Sequence, residues 1–284
     1  MEGPESSKIS SSAARARALP SGVVLLTDRW VARRPLVAVI AAAVAGGVRW
    51  VVLREKDLPR AARLALAVEL RAVLAEVGGT LIVAGPDPLD GAAVHLPAAG
   101  PYPPPRLGLA GRSCHDRAEL ARLTTEDYAT LSPVHATRTK PGYGPTLGAA
   151  GLAELIGVSP VPVLALGGVE TPDQVRACVE AGAAGVAVLG ALMRAEDPTE
   201  VAATLTAAAH ETVGRPGHGA ARPAPTPAQA VPTAVTPVAP KPSLRAAVST
   251  SGLRPTVPTE GSSLTARSGH GRPQPPTATR DGEQ

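Results

Sequence analysis

The stretch from Pro162 to Gly190, PVLALGGVETPDQVRACVEAGAAGVAVLG, carries the reading of the fold. It opens on a short apolar run, Pro162–Leu166, breaks at Gly167-Gly168, passes through a segment of helical spacing, Pro172–Ala181, and closes on a second apolar run, Gly185–Leu189. The middle segment starts with a helix signal: Thr171 can cap, Pro172 fits the first helical position, and Gln174 can reach back to the cap N–H. Strand, helix and strand in that order form the unit of a parallel sheet.

The same alternation extends back to Gly22. Candidate strands are Val23–Leu26, Trp50–Leu53, Thr80–Val83, Ala92–Leu96, Arg106–Ala110 and Tyr128–Leu131, which with the two above make eight. Candidate helices are Pro35–Ala45, Pro59–Val77, Arg117–Leu123, Gly148–Gly157 and Pro198–Val213, besides Pro172–Ala181. Eight parallel strands in so short a span predict an α/β fold, a compact (βα)8 or TIM barrel. Between the third and fourth strands, Asp87-Pro-Leu-Asp-Gly91 is too short for a helix, so that corner is expected to be abbreviated.

Composition changes after this body. Thirteen of the 31 prolines follow Arg215, and residues 215–284 hold 8 Lys+Arg against 3 Asp+Glu, whereas residues 1–214 hold 20 against 21. The expected organisation is a disordered N-terminal segment over 1–20, a barrel over 21–213 and a disordered, low-complexity Pro/Ala/Ser/Thr-rich tail over 214–284. A slightly acidic body has no basic footprint for nucleic acid, and the tail has no Phe, Tyr or Trp to stack bases. Leu36 to Val48, the longest apolar run, is too short for the roughly 20 residues of a membrane helix. Cys114 and Cys178 provide neither a disulfide framework nor a paired metal motif, which fits a cytoplasmic protein.

In a (βα)8 barrel the C-terminal strand ends build the active site. Here they carry Leu-Arg-Glu-Lys (53–56), Val-His-Leu (94–96), Gly-Arg-Ser-Cys-His (111–115), Ser-Pro-Val-His-Ala-Thr-Arg-Thr-Lys (132–140) and Leu-Gly-Gly-Val (166–169). These five motifs, in order and in register over about residues 22–205, resemble the thiamine phosphate synthase/TenI family. The resemblance implies a (βα)8 barrel and a small-molecule thiazole phosphate as partner, and leaves homo-oligomerisation open. It covers two chemistries. Synthases join a pyrimidine methyl pyrophosphate to a thiazole phosphate with Mg²⁺, and carry Asn-Asp after the third strand and Asp after the fourth. This chain has Ala84-Gly85 and Pro97-Ala-Ala-Gly100 there, with only Asp87 or Asp90 nearby, and Val52 in place of a glutamine. The TenI branch, which aromatises a carboxythiazole phosphate by moving a proton without metal, fits those departures. The expectation is therefore a metal-independent tautomerase without cofactor. The alternatives are a divergent synthase, which would require Mg²⁺, and a non-catalytic barrel that binds thiazole phosphate for regulation.

His115 stands where the TenI pattern places its functional histidine, and imidazole carries protons both ways near neutral pH. Arg54 and Lys56 would stabilise the substrate carboxylate or developing negative charge, although a solvated turn would show the same residues. Only 4 lysines accompany 24 arginines, and two of them, Lys56 and Lys140, fall within the motifs. Ser113 either contacts the substrate or caps the next helix. His95 contacts substrate or merely lines the rim, and His135 is a more distant contact. Gly167, Gly168, Leu189 and Gly190 read as a phosphate cradle, with Thr137, Thr139 and Lys140 lining an adjoining anionic pocket. That Thr-x-Thr-Lys is the feature shared most plainly with synthases. Asp28 and Glu55 stand close by without an assigned role.

Overall fold

The computed structural model describes residues 18–139, 142 and 144–213. Residues 1–17 of the predicted N-terminal segment 1–20, the predicted tail 214–284, and Lys140 lie outside the described residues. Eight strands alternate with helices: β1 (Gly22–Leu26), α1 (Leu36–Ala45), β2 (Trp50–Leu53), α2 (Arg60–Ala75), β3 (Thr80–Ala84), β4 (Ala93–Leu96), β5 (Leu109–Cys114), α3 (Arg117–Ala121), β6 (Tyr128–Leu131), α4 (Gly148–Val158), β7 (Val163–Leu166), α5 (Pro172–Glu180), β8 (Gly185–Val188), α6 (Gly190–Met193) and α7 (Pro198–Val213). Each strand pairs in parallel with the next, and β1 closes on β8 with Val23 opposite Val186 and Leu25 opposite Val188, so the sheet is a closed barrel.

Closure follows from strands that are apolar on both faces. Side chains alternate across a strand, and in β1 Val23 and Leu25 join the shell beneath the helices while Val24 and Leu26 join the barrel interior. Both sides are covered, so the strands read as unbroken apolar runs rather than alternating ones. The capping box is formed as predicted: Thr171 Oγ1 accepts from the N–H of Gln174, and Gln174 Oε1 accepts from the N–H of Thr171. No helix separates β3 from β4, where Asp87 and Asp90 are both held by Arg60.

The sequence placed the fifth strand too early. The expected strand was Arg106–Ala110, and the observed one is Leu109–Cys114, running through the polar Gly-Arg-Ser. Arg112 is accommodated there because its Nε donates to Glu126 at 2.6 Å and its Nη1 and Nη2 donate to the carbonyls of Pro97 and Pro101, with no exposure of either side chain. The guanidinium also lies 3.7 Å from the centre of the Tyr102 ring. An ion pair made across sequence turns a polar residue into a core one. Its neighbour Gly111 faces inward, where an added Cβ would stand 2.1 Å from the Tyr128 ring. The four-residue α6 was also not foreseen.

Candidate active site

A cavity of about 270 Å³ opens at the C-terminal ends of the strands. The bends after β2 bring Arg54 and Lys56 to it, β4 and β5 bring His95 and Ser113, and His115 follows β5. Thr137 and Thr139 reach it from the β6–α4 connection, and Gly167, Gly168, Leu189 and Gly190 close the side formed by β7 and β8. The described residues assigned to the site from sequence, His135 excepted, therefore meet in one cavity. His135 does not line it, and lies behind Gly168.

His115 is oriented from α3, the helix that follows it. Its Nδ1 stands 2.8 Å from Glu119 Oε2, and its backbone N–H donates to the same oxygen at 2.7 Å. A carboxylate at Nδ1 leaves Nε2 as the nitrogen that accepts a proton. The reading of Ser113 as a helix cap fails, because Asp116 caps α3 by accepting from the Glu119 N–H at 2.8 Å. Ser113 instead bonds His95. His95 is not a rim residue: it stands inside the barrel, and burial pushes its pKa down to about 3, with Lys56, Arg112 and Arg54 adding repulsion. Burial lowers the His135 pKa too.

The acidic residues around the mouth are engaged with arginines. Glu55 is buried, accepting from the Arg29 N–H and from Arg29 Nη1 at 3.0 Å, so it braces the turn that carries Arg54 and Lys56. Asp28 lies 4.0 Å from Arg54. Glu170, which sequence reasoning missed, lines the cavity and holds Arg194 at 2.8 Å and also Arg138. A divalent ion needs several oxygen ligands converging on one point. The ends of β3 and β4 offer Ala84 and Pro97, and among the described residues no cluster of three acidic, His or Cys side chains could hold a metal ion. The ends of β3 and β4 thus bring no carboxylate to the cavity lining.

Gly167 and Gly168 have φ of +102° and +65°, and a Cβ on Gly168 would stand 2.3 Å from the Ala136 carbonyl oxygen. Only glycine allows the β7 turn to pack on the β6 loop this closely. The two buried thiols take no part: burial pushes Cys114 up to about 12 and Cys178 up to about 11.

A closed (βα)8 barrel with a cationic, glycine-rimmed mouth is an architecture for small anionic substrates. The particular family follows from comparison: the thiamine monophosphate synthase family model matches residues 23–100 and 104–192, and the chain belongs to that family. The chain is 37% identical over 197 residues to the thiamine-phosphate synthase of Albidiferax ferrireducens, covering 64% of this chain and 88% of that one. Its identity to the Azorhizobium caulinodans thiamine-phosphate synthase is 35% over 201 residues, covering 64% and 91%. The thiamine phosphate pyrophosphorylase structure from Pyrococcus furiosus superimposes with a TM-score of 0.60 at 25% identity, covering 68% of this chain and 97% of that one. These names match the coupling reaction and do not speak to tautomerisation. Among the described residues, no helix is long and apolar enough to cross a membrane.

Proposed function

We propose that this family member is a metal-independent tautomerase of a carboxylated thiazole phosphate. The observation that carries the reading is His115, held through Nδ1 by Glu119 at the wall of a cavity that also receives Arg54 and Lys56. The reaction is an isomerisation. The C–H bond at the carboxylate-bearing ring carbon breaks, His115 Nε2 takes the proton, the exocyclic carbon gains one, and the double bonds shift into the aromatic ring. Nothing is oxidised and no group leaves. Arg54 and Lys56 stabilise the negative charge that develops over ring and carboxylate, and the Gly167-Gly168 turn with Gly190 receives the phosphate. Glu119 supports the imidazolium formed midway, as a carboxylate partner does for a general base.

The second reading is coupling of a pyrimidine methyl pyrophosphate to the thiazole phosphate with release of pyrophosphate. The named relatives support it better than they support tautomerisation, and the cavity-lining Thr137 and Thr139 favour it as well. Against it stands the chemistry at β3 and β4, where the synthase pattern has carboxylates for Mg²⁺ and this chain has Ala84 and Pro97. A regulatory barrel would bind thiazole phosphate and turn nothing over. The deciding experiment supplies the non-aromatic carboxythiazole phosphate in D₂O with a chelator. Aromatisation with deuterium entering the exocyclic carbon, abolished in His115→Ala, is the expected result. Binding without conversion overturns the tautomerase reading.

A further inference from the structure

The barrel interior holds a polar cluster that the proton transfer at His115 does not use. His95 Nδ1 stands 3.1 Å from the Tyr128 hydroxyl, and its Nε2 stands 3.0 Å from Ser113 Oγ. Its ring also stacks on Tyr128, with centroids 5.5 Å apart. Thr130 Oγ1 is the more distant neighbour, 3.4 Å from Nε2. A neutral imidazole donates at one nitrogen and accepts at the other, so these contacts admit two arrangements.

Burial selects between them. Tyr128 is 1% exposed, and among the described residues its hydroxyl pairs with His95. If Nδ1 carried the proton, the phenol O–H would be buried without an acceptor, which folded interiors avoid. The phenol therefore donates to Nδ1, the ring proton sits on Nε2, and Nε2–H donates to Ser113 Oγ. The serine oxygen is then engaged as an acceptor, and its own O–H is left to donate into the cavity that Ser113 lines.

We infer that Tyr128 and His95 form a one-way hydrogen-bond relay that leaves the Ser113 O–H to donate toward the substrate, so the site favours at that point a ligand carrying an acceptor oxygen. On the proposed thiazole phosphate chemistry, the acceptor is the ring carboxylate. Tyr128 and His95 are positioning residues, and Ser113 makes the contact. The desolvation that depresses the His95 pKa keeps the ring from becoming a double donor at neutral pH.

Two readouts test the relay. The first needs no ligand: nitrogen NMR of histidine-labelled protein, with His95 assigned by its loss in His95→Gln, reads the tautomer. Nε2–H is expected, and Nδ1–H overturns the inference. The second compares dissociation constants for the carboxylated, aromatic thiazole phosphate and its decarboxylated counterpart. A hydrogen bond to a charged acceptor is worth about tenfold or more, so Ser113→Ala should lower the preference for the carboxylated ligand by about tenfold, and Tyr128→Phe should lower it in the same direction. An unchanged preference in Ser113→Ala overturns the inference. Failure of both ligands to bind the unmodified protein refutes the thiazole phosphate reading, while the tautomer still decides the relay.

Discussion

Substituting Glu126 by Gln separates a buried ion pair from an exposed one within the same molecule. Glu126 and Arg112 have no side-chain exposure and meet at 2.6 Å, while the second Glu126 oxygen accepts from the N–H groups of Thr124 and Thr125. Glutamine keeps the shape and an acceptor but leaves the Arg112 charge uncompensated in the core. Breaking such a pair from one side costs about 3–5 kcal/mol. At roughly 2–4 °C per kcal/mol for a domain of this size, Tm should fall by about 6–20 °C. Glu154→Gln is the control, because Arg117 and Glu154 meet at 3.1 Å with side chains 60% and 71% exposed, and such pairs contribute about 0–1 kcal/mol. Urea unfolding of the two variants, with the slope checked for constancy, measures the difference. Burial opposes ionisation of Glu126, but hydrogen bonds from Thr124 and from Arg112 outweigh it, so its pKa lies below the ordinary 4.5. A depressed folded pKa gives stability that is complete above the unfolded value and lost as pH falls through the folded one. The gap between wild type and Glu126→Gln should therefore narrow below about pH 4.5. Equal losses for Glu126→Gln and Glu154→Gln would refute the assignment of Arg112 to a charge-paired core.

Three further outcomes follow from the geometry. Glu119→Gln should lower turnover by about 10–100-fold with little change in ligand affinity, since it leaves His115 in place but removes the charge that supports its protonated form; steady-state kinetics beside binding measurements check this. Gly168→Ala should weaken binding of the phosphate-bearing ligand more than tenfold and lower Tm, because the added Cβ meets the Ala136 carbonyl at a positive φ; calorimetry with inorganic phosphate and with thiazole phosphate reads it. Thr171→Ala should cost about 1 kcal/mol of stability without altering the site, because it removes one half of the capping box.

The fold was legible because its signals are local. Strand β2 and the two runs flanking Gly167-Gly168 are apolar on both faces, and the Thr171 cap box marks the start of a helix within four residues. Strand β5 was misplaced because its polar residues are satisfied from afar: Arg112 by Glu126 and two carbonyls, and Ser113 by His95. The residues that line the mouth were legible because strand ends in a barrel converge whatever their spacing in sequence. Glu119 could have been found, since it stands four residues after His115 at a helix start. Tyr128 could not, because its meaning depends on Gly111 and His95 from two other strands.

On the proposed reading this mouth moves a proton on a thiazole phosphate and does not couple it to a pyrimidine. The direct test gives the protein a thiazole phosphate, the pyrimidine methyl pyrophosphate and excess Mg²⁺, with a chelated control, and follows thiamine phosphate and pyrophosphate by mass spectrometry. Neither product should form while the thiazole phosphate binds. Formation of both, lost on chelation, would contradict that reading and make the protein a synthase whose ligands for the ion come from elsewhere in the chain.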